Sequence, residues 1–329
     1  MGVKLKDLAI GREIKLKDLS GKTIAVDAFN WIYQFLTTIR LADGSYLTDR
    51  SGDITSHLNG LFYRTMNLLT NDVTPIFVFD GSAPKFKKAT NIERARIREE
   101  AKKRAEEAKT EEERAMYMKR AVTINDKIIS SSKELLSLMG INVIQAPAEG
   151  EAEAAHINSN GSAYGVASQD YDALLFGANK LIRNLNITNR RKLPSKGIST
   201  EVPPEVIDKK AYEDLGIDRE KLVLIALFIG TDYNRGVKGI GPKKALAIVK
   251  KEKKEAIFNS YDFGCDYSIN EVFDYFMHPN VTDTETAIPL HMDKGKLIDF
   301  LCDRHSFSKE RMESYLDKIN KEESLLKYG

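Results

Sequence analysis

Two cysteines in 329 residues, Cys265 and Cys302, cannot build a disulfide framework, and their separation matches no zinc-ligand spacing. Histidine is scarce as well. His57, His156, His278, His291 and His305 form neither HExxH nor a paired zinc pattern, so histidine-based metal chemistry is not expected. No apolar run approaches the ~18 residues that would cross a membrane. The opening MGVKLKDLAIGREIKLKDL has no apolar signal-peptide core, and Lys6 stands where a myristoylation signal needs Ser or Thr. Together these absences predict an intracellular chain with no membrane association. The nucleotide loops GxxxxGK[ST] and GxGxxG are missing, and Ser168 sits in ASQD rather than GxSxG, which argues against a nucleophilic serine. Net charge is only +2, from 50 basic and 48 acidic residues, so the chain as a whole is no polycation.

What is present is charge sorted into blocks. Residues 148–172, AEGEAEAAHINSNGSAYGVASQDYD, contain Glu149, Glu151, Glu153, Asp170 and Asp172 and not one Lys or Arg. Such a cluster repels itself unless something positive binds it. Oxygen-only donors of this kind suit a hard divalent cation, Mg²⁺ or Mn²⁺. Residues 81–120 have the opposite character, with thirteen Lys/Arg against eight Glu, an excess of five. They are poor in large apolar side chains, and the spacing predicts solvent-exposed helix. Basic charge beside a carboxylate cluster is where phosphates could be gripped.

Apolar runs at 22–27 (KTIAVD), 74–80 (TPIFVFD), 141–145 and 163–170 (AYGVASQD) predict strands, and three of them end in Asp27, Asp80 and Asp170. Helical spacing between them, over 28–39 and 52–69, predicts an α/β fold with a mostly parallel central sheet flanked by helices. Sites in such sheets form beyond the carboxyl ends of the strands. One strand-end Asp is ordinarily a cap; three, with the glutamates, suggest a shared site. Asp170 and Asp172 would share a face if the strand ran to 172. For the glutamates two pairings stay open: Glu149 with Glu153 on one helix face, or Glu149 in the turn and Glu151 in the first helical turn, which Pro147 favours. Residues 188–204 read as a loop or hairpin. From 222 onward the period is helical, including an apolar run at 222–229 and an amphipathic helix over 299–316. Between them lies GTDYNRGVKGIGPKKALAIVKK (230–251). Its glycines allow close backbone approach, and Lys243 and Lys244 add charge at a helix start, a combination suited to a nucleic-acid phosphate.

Taken together, MGVKLKDL, IAVDAFNWIYQFL, FVFDG, APAEGEAEAA, ASQDYDALLFG and IGTDYNRGVKGIGPKKA resemble the flap endonuclease family of structure-specific 5′ nucleases, in its archaeal and eukaryotic branch. The resemblance runs to about residue 315. It implies a nuclease core over 1–215 with a helical arch at 85–120. A duplex-binding region would follow over 216–315, with a helix–two-turn–helix near 230–251, then a tail over 316–329, all acting as one nuclease unit. It implies cleavage of branched DNA carrying a 5′ flap, with 5′–3′ exonuclease activity, in lagging-strand maturation and repair. Two Mg²⁺ ions, replaceable by Mn²⁺, would lie among Asp27, Asp80, Glu149, Glu151, Asp170, Asp172 and Asp232. Lys87 and Arg94 would steady the scissile phosphate, and Tyr33 would stack on a base. Gly239, Gly241, Lys243 and Lys244 would hold duplex, with a monovalent cation on the turn's carbonyls. Gly2 would be the processed N-terminus near the site. The resemblance chooses Glu151 over Glu153 as the ligand, leaving Glu153 as an outer or surface residue. Ala148 replaces the usual Ser. At the C-terminus only Leu325 and Tyr328 fit the sliding-clamp peptide, Glu322 standing where Gln is usual. The family further implies a monomer in the cytoplasm or nucleoid of an archaeon, or a eukaryotic nucleus. A non-catalytic DNA-junction or clamp-associated binder is the alternative, and it predicts lost carboxylates; a single-stranded RNA nuclease is a second.

Overall fold

In the computed structural model residues 5–186, 190–192, 199–283 and 291–317 are described. Gly2, Glu322, Leu325 and Tyr328 lie outside them. In chain order come β1 (Arg12–Glu13), β2 (Lys22–Asp27), α1 (Ala28–Thr38), α2 (Ser56–Leu69) and β3 (Val73–Phe79). Then follow α3 (Lys88–Glu107), α4 (Glu111–Arg120), α5 (Asp126–Leu138), β4 (Asn142–Gln145), α6 (Gly150–Ser159), β5 (Gly165–Ala167) and α7 (Asp172–Leu175). The chain continues through β6 (Lys180–Arg183), the hairpin strands β7 (Arg190–Lys192) and β8 (Ser199–Glu201), β9 (Glu205–Asp208) and α8 (Lys210–Glu213). It closes with α9 (Arg219–Ile229), α10 (Pro242–Val249), α11 (Lys254–Ser260), α12 (Ile269–Met277) and α13 (Lys294–Ile298).

Seven strands form one sheet in the order β1-β9-β6-β5-β2-β3-β4. The five strands β4, β3, β2, β5 and β6 run parallel, and β9 and β1 close one edge antiparallel. This is the α/β class expected. The parallel strands read as unbroken apolar runs because both faces are covered. Alternation then sends neighbours to opposite sides. Ala25, Ile76, Val78, Val166 and Leu181 pack with α6, α7, α9 and α12. Ile24, Val26, Phe77, Phe79 and Ile182 pack with α1, α2, α5 and α13, and with Met312 and Leu316. The first of these cores runs without interruption across position 215, from Leu5 to Phe276.

Three expectations shift. The second helix starts at Ser56, not Gly52, because residues 40–54 form two successive tight turns, one closed by Arg40 pairing Tyr46 and the next by Thr48 pairing Ile54. The Asp49 carboxylate accepts from Ser51 and Asp53 N–H there, a local turn that outcompetes helix. The strand read over 163–170 ends at Ala167. Ser168 Oγ accepts the Asp170 N–H at 3.2 Å, turning the chain, and Asp172 opens α7 instead of sharing a strand face with Asp170. The helix read over 299–316 is broken at 305–308, where Ser306 takes φ +61°.

One predicted feature carries through. The basic segment is two exposed helices, α3 burying only Ala101 and Ala105 and α4 burying nothing. Among the described residues no helix is long and apolar enough to cross a membrane.

Candidate active site

Asp27 ends β2 and Asp80 follows β3, its neighbour in the sheet, so both stand at the carboxyl edge. Asp27 also caps α1, Oδ1 accepting the Asn30 N–H at 3.0 Å, so the ordinary capping role and a place at the sheet edge coexist in this residue. Asp80 Oδ1 accepts the Gly150 N–H at 2.6 Å, which pins the start of α6 over the sheet edge. A Cβ at position 150 would stand 2.7 Å from that oxygen, so the close approach requires glycine.

That pin sets the glutamates. Glu149 immediately precedes α6 and Glu151 lies in its first turn. The Ser168 hydroxyl reaches Glu151 Oε1 at 2.7 Å and Asp27 Oδ2 at 3.3 Å. It has one proton to give, so it holds the two carboxylates together while satisfying one at a time. Ser168 is a site residue that motif reasoning dismissed as a nucleophile; its position between a strand end and two acids was the available signal. Glu153 faces elsewhere, as expected of the non-ligand, but it is neither surface nor partly exposed: it is fully buried on Thr282.

The electrostatics follow from burial. Burial, then the charges of Asp80 and Asp170, raise the Asp27 carboxyl to about 8. Glu151 is pushed well above the usual range by burial, then by Asp27, Asp172 and Asp170. Asp80 is raised by burial, opposed by the Gly150 N–H and Lys87. Five acids from four chain segments thus burden one another, and the ligands they offer are all oxygens. That is the donor chemistry of a hard divalent cation. As the side chains stand, no three acidic, His or Cys groups among the described residues converge closely enough to hold one ion. The fit to a cation lies in the chemistry and charge of these carboxylates.

Two cations reach in from the root of the basic helices. Lys87 donates to Glu149 Oε2 at 2.5 Å and lies 3.9 Å from Asp232 Oδ2. Burial alone would favour its neutral amine; Glu149, Asp232 and Asp80 outweigh that and hold it above the usual lysine range. Arg94 donates to Asp232 at 2.7 and 2.8 Å, and Thr90 Oγ1 donates to the Asp232 carbonyl at 2.5 Å. Residues seven apart in sequence therefore meet at one carboxylate. Tyr33 lies on α1, 45% exposed. The Gly239–Lys244 turn stands apart: Gly239 has φ +82°, Gly241 caps α10, Lys243 is exposed, and the Lys244 ammonium rests on the Gly239 carbonyl at 3.1 Å.

Known proteins resemble this chain along nearly its whole length. The XPG N-terminal domain model matches residues 1–101, and the XPG I-region model matches residues 140–232. Flap endonuclease 1 of Thermococcus onnurineus is 48% identical over 98% of this chain and 95% of its own length. The enzyme of the same name from Pyrococcus furiosus is 46% identical with the same coverage. Among solved structures, flap endonuclease-1 from Methanococcus jannaschii superposes with a TM-score of 0.76 at 41% identity, covering 98% of each chain. The catalytic core of Rad2 in complex with DNA substrate gives 0.71 at 26% identity, covering 97% of this chain and 100% of that one.

Proposed function

The chain belongs to the flap endonuclease family, structure-specific nucleases that depend on divalent metal, and from that premise we propose how its residues divide the work. Branched DNA with a 5′ flap is the substrate, cut endonucleolytically at the junction and trimmed 5′ to 3′. Asp27, Asp80, Glu149, Glu151, Asp170, Asp172 and Asp232 hold two Mg²⁺, with Mn²⁺ able to substitute. Bound there, the ions supply the charge that polarises the scissile phosphate and acidifies the attacking water.

The chain's own residues do the rest. Ser168 keeps Asp27 and Glu151 side by side. Lys87 and Arg94, now on Glu149 and Asp232, supply the donors that grip the scissile phosphate as its charge grows. Tyr33 offers an exposed ring on which the terminal base pair stacks. α3 and α4 form the arch at 85–120 over the single strand. Gly239, Gly241, Lys243 and Lys244 hold the uncleaved duplex within a region spanning 216–315, with a monovalent cation at the turn, while 1–215 carries the chemistry. The protein acts as an intracellular monomer in lagging-strand maturation and repair, and contacts a sliding clamp through Leu325 and Tyr328.

The observation that carries this reading is the meeting of Lys87 and Arg94 with the carboxylates of Glu149 and Asp232 at the sheet's carboxyl edge. A non-catalytic junction binder has no use for seven acids, and all seven are present. The test is cleavage of 5′-labelled flap, nicked, blunt and single-stranded DNA with Mg²⁺ or EDTA. Flap cutting only with Mg²⁺ is expected; binding without cleavage under every condition overturns the assignment.

A further inference from the structure

Glu153 is the acid that the active site does not use. It is fully buried, and both its oxygens are spoken for by one residue: Oε2 accepts the Thr282 N–H and Oε1 the Thr282 hydroxyl, each at 2.9 Å. Thr282 lies 129 residues away, just after α12, the last of the helices that pack with α9 around the Gly239–Lys244 turn. One turn further along α6, His156 pairs with Asp283 at 2.8 Å, so the same segment after α12 is held twice.

The consequence lies in how α6 is held. Its packed residues are Ala152, Ala154, Ala155 and Ile157. Alanine ridges are shallow, and they let a helix sit close while resisting rotation about its axis only weakly. Direction comes from hydrogen bonds. Asn158 fixes the far end, accepting from Asn179 and Lys180 N–H. At the near end there are the Asp80–Gly150 contact and the Glu153 clasp. The Glu153 N–H itself donates to the Glu149 carbonyl at 3.2 Å, so the clasped residue and both site glutamates share one helical turn.

We infer that Glu153 is a positioning residue: by clasping Thr282 it sets the angle of the first turn of α6, and through it the aim of Glu149 and Glu151 at a divalent ion. The inference rests on the carboxylate site proposed above. It also makes the segment leaving α12 part of the support of the acidic site.

The test uses the full-length protein without DNA, titrated with Mn²⁺ and followed by the electron paramagnetic resonance signal of the free ion. Glu153→Ala should weaken Mn²⁺ binding about tenfold, the size expected when an outer hydrogen bond orienting a ligand is lost, with Thr282→Val between it and wild type. Glu153→Gln should stay near wild type, because its carbonyl still takes the Thr282 N–H and the threonine hydroxyl can turn to accept from the amide. Flap-DNA affinity measured in Ca²⁺ should not move in any of the three. Mn²⁺ binding by Glu153→Ala equal to wild type overturns the inference. If that variant does not fold, equal binding by Thr282→Val does so. An equal loss in Glu153→Gln also overturns it, since shape would then not be the cause. A wild-type protein that binds no Mn²⁺ would instead sink the carboxylate assignment itself.

Discussion

Lys87 Nζ sits 2.5 Å from Glu149 Oε2 and 3.9 Å from Asp232 Oδ2, joining the root of the basic helices to two acids that lie 83 positions apart in the chain (232 less 149). The contact is mostly buried, with 16% of the lysine side chain exposed. A cation held this way is preorganised for negative charge and costs little rearrangement at the moment of reaction. Lys87→Ala should therefore slow single-turnover flap cleavage by ~10²–10³-fold while changing the flap dissociation constant far less. A variant that loses affinity and rate in equal proportion would show that Lys87 only binds.

Asp172→Asn tests the acids directly. Asp172 opens α7 and its charge bears on Glu151, so the substitution relieves one repulsion and, on the proposed assignment, removes one ligand. Mg²⁺-dependent cleavage should be lost and flap binding kept. The thermal midpoint gives a second reading. If the proposed site takes Mg²⁺ in the folded chain alone, the ion should raise the wild-type midpoint progressively with concentration, and the variant's much less. Cleavage retained by Asp172→Asn would remove this residue from the site.

How much of this was legible differs from residue to residue. Asp27 and Asp80 could be placed because an apolar run buried on both faces has a sharp end, and the acid marks it. Asp170 was found for a partly wrong reason: its strand stops at Ala167, and a serine hydroxyl rather than a ladder sets the last residues. Glu151 and Glu153 could not be told apart by spacing, since helical period alone fits Glu149 with Glu153. What separates them is Thr282, a partner 129 residues away that no local pattern reveals. The convergence of Lys87 and Arg94 on Asp232 is likewise a tertiary fact, although their seven-residue spacing correctly put them on one side.

His57 should govern part of the acid lability. The Ser131 hydroxyl donates to the Lys127 carbonyl at 2.7 Å, so at 2.8 Å it accepts from His57 Nε2–H, leaving Nδ1 buried with no hydrogen-bond partner among the described residues. Burial, then the nearby His305, drives the imidazole from 6.5 down to about 3. The unfolded chain takes up a proton below about pH 6.5 that the folded chain refuses, so this residue's contribution is intact above 6.5 and is lost as pH falls. The loss should approach ~1.4 kcal/mol per pH unit below that point. Urea unfolding at pH 7 and pH 5 should show wild type losing about 2 kcal/mol more than His57→Gln over that interval. Parallel losses would mean that the imidazole protonates in place.

Gly44 should anchor the second basic helix. It takes φ +83°, and a Cβ there would lie 2.6 Å from the Ala115 Cα, in backbone contact with α4. Arg40 crosses the same junction, donating to the carbonyls of Leu36, Gly44 and Met118 while its guanidinium stacks 4.0 Å from the Tyr46 ring centroid. Gly44→Ala combines a left-handed backbone that alanine resists with a clash that only movement of α4 can relieve. The folded protein should lose ~1–2 kcal/mol, and the cost should be local. Amide exchange should quicken across residues 111–120 and the two turns over 40–54 and stay unchanged in β2 and β3. Flap cutting should slow while Mn²⁺ binding at the carboxylates persists, because the substitution frees the helix without touching the acids. Exchange in 111–120 that matches wild type would mean α4 holds its place without the turn that carries Gly44.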